Sequence, residues 1–170
     1  MTYAPLKIRI YAFLFDYLMI VLYGIFVVGT ISVIFRPVIT PLFSDSPAAA
    51  ELTGFFLVTL PVSLYFIICE CSTWQGTWGK KKLSIRVVDN SGNRIGLFRS
   101  TVRTAIKFMP WEAGHFAVWH LTLPTDFSDT GVYVILITVY LTVFIYLLSP
   151  LMNKKRKTIY DWIAGTKVVR

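Results

Sequence analysis

Asp16 stands inside an otherwise apolar run, residues 10–35, that is long enough to cross a bilayer. An ionisable group in hydrocarbon costs about 2.5–3.5 kcal/mol on insertion scales, so this carboxylate is expected to face the protein interior. Two chemistries are open to it there: exchange of a proton or cation, or a buried ion pair that fixes helix packing. Arg9 lies seven residues earlier. The two share a helix face but stand about 10 Å apart along the axis. Both side chains lean toward the helix N-terminus, so a direct bidentate bond is awkward and a third group or a water should bridge them. Arg99, Arg103 and Lys107, at the start of a later apolar stretch, are the cations expected to neutralise Asp16. A carboxylate beside a cation stays charged, which favours the structural pair over a proton cycle.

The remaining reactive side chains form no catalytic set. Glu70, between Cys69 and Cys71 at the end of a second apolar run, is expected to be solvated or paired with the lysines that follow. The two cysteines point to different sides of a helix and suit neither a disulfide nor chelation. His115 and His120 are five apart, off the i, i+4 spacing of helical metal ligands, so no metal is expected. The stretch 74–82, Trp-Gln-Gly-Thr-Trp-Gly-Lys-Lys-Lys, fails as a phosphate loop: its glycines are too close, and Lys81 follows Lys80 where Ser or Thr is needed. It reads instead as a glycine turn with headgroup-level tryptophans and lysines for anionic lipid. No serine–histidine–acid, cysteine–histidine or paired-carboxylate arrangement is readable, so neither an enzyme nor a cofactor is expected.

The elements that must position these residues are set by hydropathy. With 170 residues, 55% of them hydrophobic and 16% aromatic, the chain fits a single small integral membrane domain, residues 1–170, better than a soluble one. The net charge of +8 lies in blocks beside apolar runs, where it reports membrane orientation and not nucleic acid. Four stretches are predicted to cross: 10–35, 52–71, 98–123 and 132–152. The first is too long for a cleaved signal core and is kept as a span. Pro110 should kink the third, whose charges also fit an interfacial helix. The segments 72–97 and 153–170 are lysine- and arginine-rich, while 36–51 and 124–131 are nearly free of basic residues. Basic segments stay in the cytoplasm, so both termini and the middle segment belong there, and only an even number of crossings permits that. The expected fold is an all-α transmembrane four-helix bundle, N-in and C-in.

The middle segment should carry a small cytoplasmic β-hairpin, residues 83–97: an alternating strand, a turn at Asn90-Ser91-Gly92-Asn93, and a return from Arg94. In the tail, Thr158-Ile-Tyr-Asp161 has the form of a capped helix start, Gly165 suits its stop, and residues 167–170 could add a third strand.

At these positions the chain resembles the RDD family of small membrane proteins, named for one arginine and two aspartates. Arg9 and Asp16 match the arginine that begins the first helix and the aspartate within it. Thr77-Trp78-Gly79-Lys80 and the strand after it look like the family's T-x-G-K turn. Arg99 and Arg103 are similar to its arginine-bearing third segment, and Asp161-Trp-Ile-Ala164-Gly165-Thr166-Lys-Val168-Val169 resembles its closing D-x-x-A-G-T-x-V-V. The pair Gln75-Gly76 departs from the Gly and Gln or Ala that many members place before the Thr. The resemblance implies an integral protein, expected in a bacterial cytoplasmic membrane with both termini cytoplasmic. Its implied roles are an accessory or interaction module for a larger membrane protein, or a cation/proton antiporter, oligomeric, with Asp16 as the exchangeable carboxylate and the arginines tuning it. Partners expected of the module are anionic lipid, and another membrane protein or a second copy.

Overall fold

Apolar helices need their backbone polar groups satisfied within the protein, and this chain meets that need with four long helical segments and one small polar lobe. The computed structural model describes residues 2–170. The long segments are Leu6–Ile34, Pro47–Cys71, Leu97–Thr122 and Asp129–Leu148. The first, second and fourth are long and apolar enough to cross a membrane.

The structure moves several boundaries. The expected spans at 52 and 132 begin earlier, because Ser46 accepts from the Ala49 amide at 3.2 Å with Pro47 behind it, and Ser128 accepts from the Gly131 amide at 3.2 Å. Side-chain caps of this kind satisfy amides that a helix start leaves open, so each helix begins at its cap and not at its first apolar residue. The segment read as a loop after residue 35 contains a further helix, Arg36–Ser44.

Two prolines sit inside long helices, and both are treated alike. Pro61 lacks the amide that would bond the Leu57 carbonyl four residues back, and the Tyr23 hydroxyl donates to that carbonyl at 2.8 Å. Pro110 likewise leaves the Ile106 carbonyl free, and the Tyr146 hydroxyl donates to it at 2.9 Å. Each pair ties neighbouring long helices together at a point where the ladder is interrupted. Tyr23→Phe is therefore expected to lower stability by about 1 kcal/mol in detergent unfolding, and to have almost no effect in a Pro61→Ala background, where the backbone amide returns.

The lobe gathers three distant parts of the chain. Strands β1 (Arg86–Asp89) and β2 (Thr166–Val169) pair antiparallel, with Val87 opposite Val168 and Val88 opposite Lys167. Tyr3 forms a bridge to Val169, the Ala4 amide donates to the Val168 carbonyl at 3.1 Å, and the Arg170 amide donates to the Thr2 carbonyl at 2.9 Å. The expected hairpin within 83–97 is thus corrected: Arg94 returns only as a single bridge to Val88, and the main partner of β1 is the C-terminal strand. Arg94 cannot run on because the chain turns at Gly96 into the helix that starts at Leu97. The strand itself starts later than expected, since Ser84 adopts a left-handed conformation with φ +54. Ala4, Ala12, Ile85, Val87, Ile95 and Val168 form the apolar core that fastens the lobe to the first long helix.

Candidate functional site

Where a lobe meets a bundle, charged residues at helix ends lose water, and they must then find each other. Arg103, 2% exposed on the third long helix, binds two carboxylates at once. Its Nη1 donates to both oxygens of Glu70 at 2.7 and 2.6 Å, and its Nε donates to Asp161 Oδ1 at 2.9 Å. Asp161 is filled from all sides. Its Oδ1 also accepts from the Thr166 hydroxyl at 3.2 Å, and its Oδ2 accepts from Arg9 Nη1 at 3.1 Å and from the Thr158 amide at 3.3 Å. Glu70 takes Lys80 as its second cation. The chain Arg9–Asp161–Arg103–Glu70–Lys80 therefore runs unbroken through the first, third and second long helices and two short lobe helices, Trp78–Lys82 and Ile159–Ile163.

The closing motif follows from this geometry. Thr158 and Asp161 form a reciprocal capping box, each backbone amide bonded to the other's side chain. Gly165, with φ +66, takes the left-handed conformation that ends the helix without a Cβ penalty, and it turns Thr166 back toward Asp161.

Asp16 is held differently from the expectation. Its Oδ1 accepts from the Tyr65 hydroxyl at 3.0 Å and from the Gly79 amide at 2.9 Å, and its Oδ2 accepts from the Thr77 hydroxyl. None of Arg9, Arg99 or Arg103 reaches it: Arg9 and Arg103 converge on Asp161, and Arg99 lies at the surface, 3.2 Å from Asp89. Arg9 faces Asp161 because its side chain extends toward the lobe, away from the carboxylate a turn and more deeper. The amide given to Asp16 is one of those left open at the start of the helix Trp78–Lys82, where a negative charge is favoured. The expected glycine turn is thus a helix start. Gly79 is required by contact: a Cβ on it would stand 2.2 Å from the Ala12 carbonyl oxygen and 2.9 Å from Asp16 Oδ1. Thr77, Gly79 and Lys80 each have a separate task, the first two on Asp16 and the third on Glu70.

One contributor escaped the sequence reading, and two others are placed differently from the expectation or more fully than it. Tyr65 is an unremarked aromatic on an apolar helix. Glu70, read as solvated or paired with the lysines, is fully buried and takes Arg103 as well as Lys80. Lys107, expected beside Asp16, lies with its ammonium 3.3 Å from the Phe66 ring centroid. The available signal for Glu70 was the cationic run ten residues later. Lys81 and Lys82 face outward over Trp74 at 3.8 Å and over Phe15 at 4.2 Å. Cys69 and Cys71 are free thiols.

The profile of the RDD family matches residues 3–165. This chain belongs to the RDD family. The match covers Arg9, Asp16, the Thr77–Lys80 turn, Glu70, Arg103 and Asp161 together, and Thr166, which also donates to Asp161, follows its last residue. No curated protein matches the chain, and no solved structure does. RDD membership with three apolar helices makes this a membrane-protein domain.

Two predictions arise from the two carboxylates. Burial alone would push the Asp161 carboxyl up, but the Arg103 and Arg9 guanidiniums and the Thr158 bond outweigh it and hold it well below the usual carboxylate range. The stability this gives the RDD domain is complete above about pH 5, where an unfolded aspartate is almost fully ionised, and is lost progressively as pH falls from there through the lowered folded value. Thermal unfolding in detergent between pH 7 and pH 3 should show that acid loss, and Asp161→Asn should flatten it while lowering stability at neutral pH. Thr77→Val should cost about 1.5–3 kcal/mol because it strips a donor from buried Asp16, whereas Thr77→Ser should retain most of the stability. Equal losses in Val and Ser variants would mean that the hydroxyl does not hold Asp16.

Proposed function

We propose that this RDD chain is an accessory interaction module of a bacterial cytoplasmic membrane, a non-catalytic four-crossing protein with both termini in the cytoplasm. Its lobe docks a larger membrane protein or a second copy of the chain. In support of the topology, residues 2–4, strand β1 and strand β2 are hydrogen-bonded into one sheet-like lobe, so the N-terminus, the middle segment and the tail share one end of the bundle. Those parts also carry the basic blocks. Both features support an even number of crossings, in which the third long helix, Leu97–Thr122, joins the three apolar ones with Arg99, Arg103 and Lys107 near the cytoplasmic headgroups.

The observation that carries the functional reading is the saturation of Asp16. A carboxylate bound by a hydroxyl, a phenol and a backbone amide is pinned to the lobe, and an exchangeable site needs a carboxylate free to trade its partners. The ion-pair chain from Arg9 to Lys80 serves the same end, fixing a preformed lobe against the helices. Anionic lipid is the expected surrounding of Lys81, Lys82, Lys154 and Lys155 beside Trp74, Trp78 and Trp162.

Affinity purification in mild detergent from native membranes tests this directly. A stoichiometric membrane partner or a stable homo-oligomer is expected, and a monodisperse monomer with no partner would overturn it. The antiporter reading makes the opposite demand on one variant. Proteoliposomes of the wild type should show no cation-driven proton flux, and Asp16→Asn should instead lower unfolding stability by about 2 kcal/mol.

A further inference from the structure

The ions around one cavity do not balance. A cavity of about 70 Å³ lies between the bundle and the lobe, and Arg9, Lys80, Arg103 and Lys107 line it together with Asp16 and Phe66. Around these four cations stand three carboxylates, Asp16, Glu70 and Asp161. Glu70 and Asp161 are taken by Lys80, Arg103 and Arg9, and Asp16 by Thr77 and Gly79 of the lobe and Tyr65 of the second long helix. Lys107 is left over. Among the described residues its ammonium has no carboxylate within ion-pairing distance and no hydrogen-bond acceptor, and it rests on the face of Phe66, whose ring also lies 5.4 Å from the Lys80 ammonium. Lys80 already has Glu70 as its counter-ion, so the unmatched charge beside this ring is that of Lys107.

A second observation points the same way. Arg9 Nε is buried and has no acceptor, although the Nη1 and Nη2 of the same guanidinium are used by Asp161 and the Val168 carbonyl. Arg9 and Lys107 both line this cavity, and a guanidinium beside a free ammonium suits a tetrahedral oxyanion, because both give charge-assisted bonds to different oxygens of the same group. The cavity reaches the surface at Phe13, which lines it and is 50% exposed on the first long helix. That opening lies on an apolar helix just inside the lobe, at the level where phospholipid headgroups meet protein if the topology above holds.

We propose that this cavity binds one phosphate-class oxyanion, as free phosphate or as the phosphate of an anionic phospholipid, with Lys107 as its principal cation and the Arg9 guanidinium as a second donor. The anion supplies the negative charge that the protein's own carboxylates do not, and it sits where it can lock the lobe to the helices.

The test uses the full chain purified in a neutral detergent. Unfolding temperature is followed against inorganic phosphate, with chloride at matched ionic strength as reference, and phosphatidylglycerol binding is followed by native mass spectrometry. A saturable stabilisation by phosphate assigns the site to the free ion. Retention of one phosphatidylglycerol that phosphate does not displace assigns it to the headgroup. In either case Lys107→Met should weaken binding by about tenfold or more, and Lys107→Arg should keep it. The proposal is overturned if neither ligand acts beyond chloride on the wild type, or if Lys107→Met binds as the wild type does. Should Lys107→Met fail to fold, the wild-type titrations and Lys107→Arg still decide, since loss of wild-type response alone rejects the site.

Discussion

Arg103→Met is expected to lower stability by about 3–5 kcal/mol, the largest loss of any single change in this protein. Methionine fills nearly the same space, so the effect is electrostatic. Removing the guanidinium deletes bonds to Glu70 at 2.6 and 2.7 Å and to Asp161 at 2.9 Å, and both carboxylates are fully buried. Among the described residues Lys80 then remains the only cation paired to Glu70, and Arg9 the only one paired to Asp161. Since a few kcal/mol is a large share of the stability of a small domain, the variant should be recovered poorly from membranes, with an unfolding transition far below that of the wild type. A double change that removes Glu70 together with Arg103, Glu70→Gln with Arg103→Met, should lose less than the two single losses added, because no carboxylate is then stranded at that end. Additive losses would show that the two residues do not act as a pair.

Gly79→Ala ranks second, at about 3 kcal/mol or more. The new methyl would overlap the Ala12 carbonyl oxygen at 2.2 Å, a backbone atom in the middle of a long helix that cannot step aside. The short helix Trp78–Lys82 must then lift away, and overpacking of about 1–3 kcal/mol is joined by loss of the Gly79 amide bond to Asp16 and disturbance of the Thr77 bond. Gly76→Ala provides the comparison. Its Cβ would meet the Lys80 Cβ at 3.0 Å and the Ile85 carbonyl oxygen at 3.4 Å, both well outside the 2.2 Å approach at Gly79, and the loss should be smaller. Similar unfolding midpoints for the two variants would sink the close-approach account of Gly79.

How much of this was readable from the residues depends on the range of the interaction. The capping box of Thr158 and Asp161 and the stop at Gly165 are local, three to seven residues across, and both occur where the pattern placed them. The hairpin failed because alternation marks a strand without naming its partner. Val87 and Val88 are both buried, and the strand that covers them is about eighty residues away, Val168 opposite Val87. Asp16 failed for a related reason. Charge counting looked for a cation, but a hydroxyl, a phenol and a helix-start amide satisfy a carboxylate as well, and such neutral donors are too common in a sequence to stand out.

Composition and spacing alone determined the membrane character of the chain, its apolar runs, the family motifs and the fact that a submerged acid needs partners, because each of these rests on hydropathy or on residues close together along the chain. Only the tertiary structure decided which partners those are. Arg9 and Asp161 meet across 152 residues, and Arg103 and Glu70 across 33, because packing of the lobe onto the helices excludes water there and leaves each charge no alternative to the neighbour that the fold delivers.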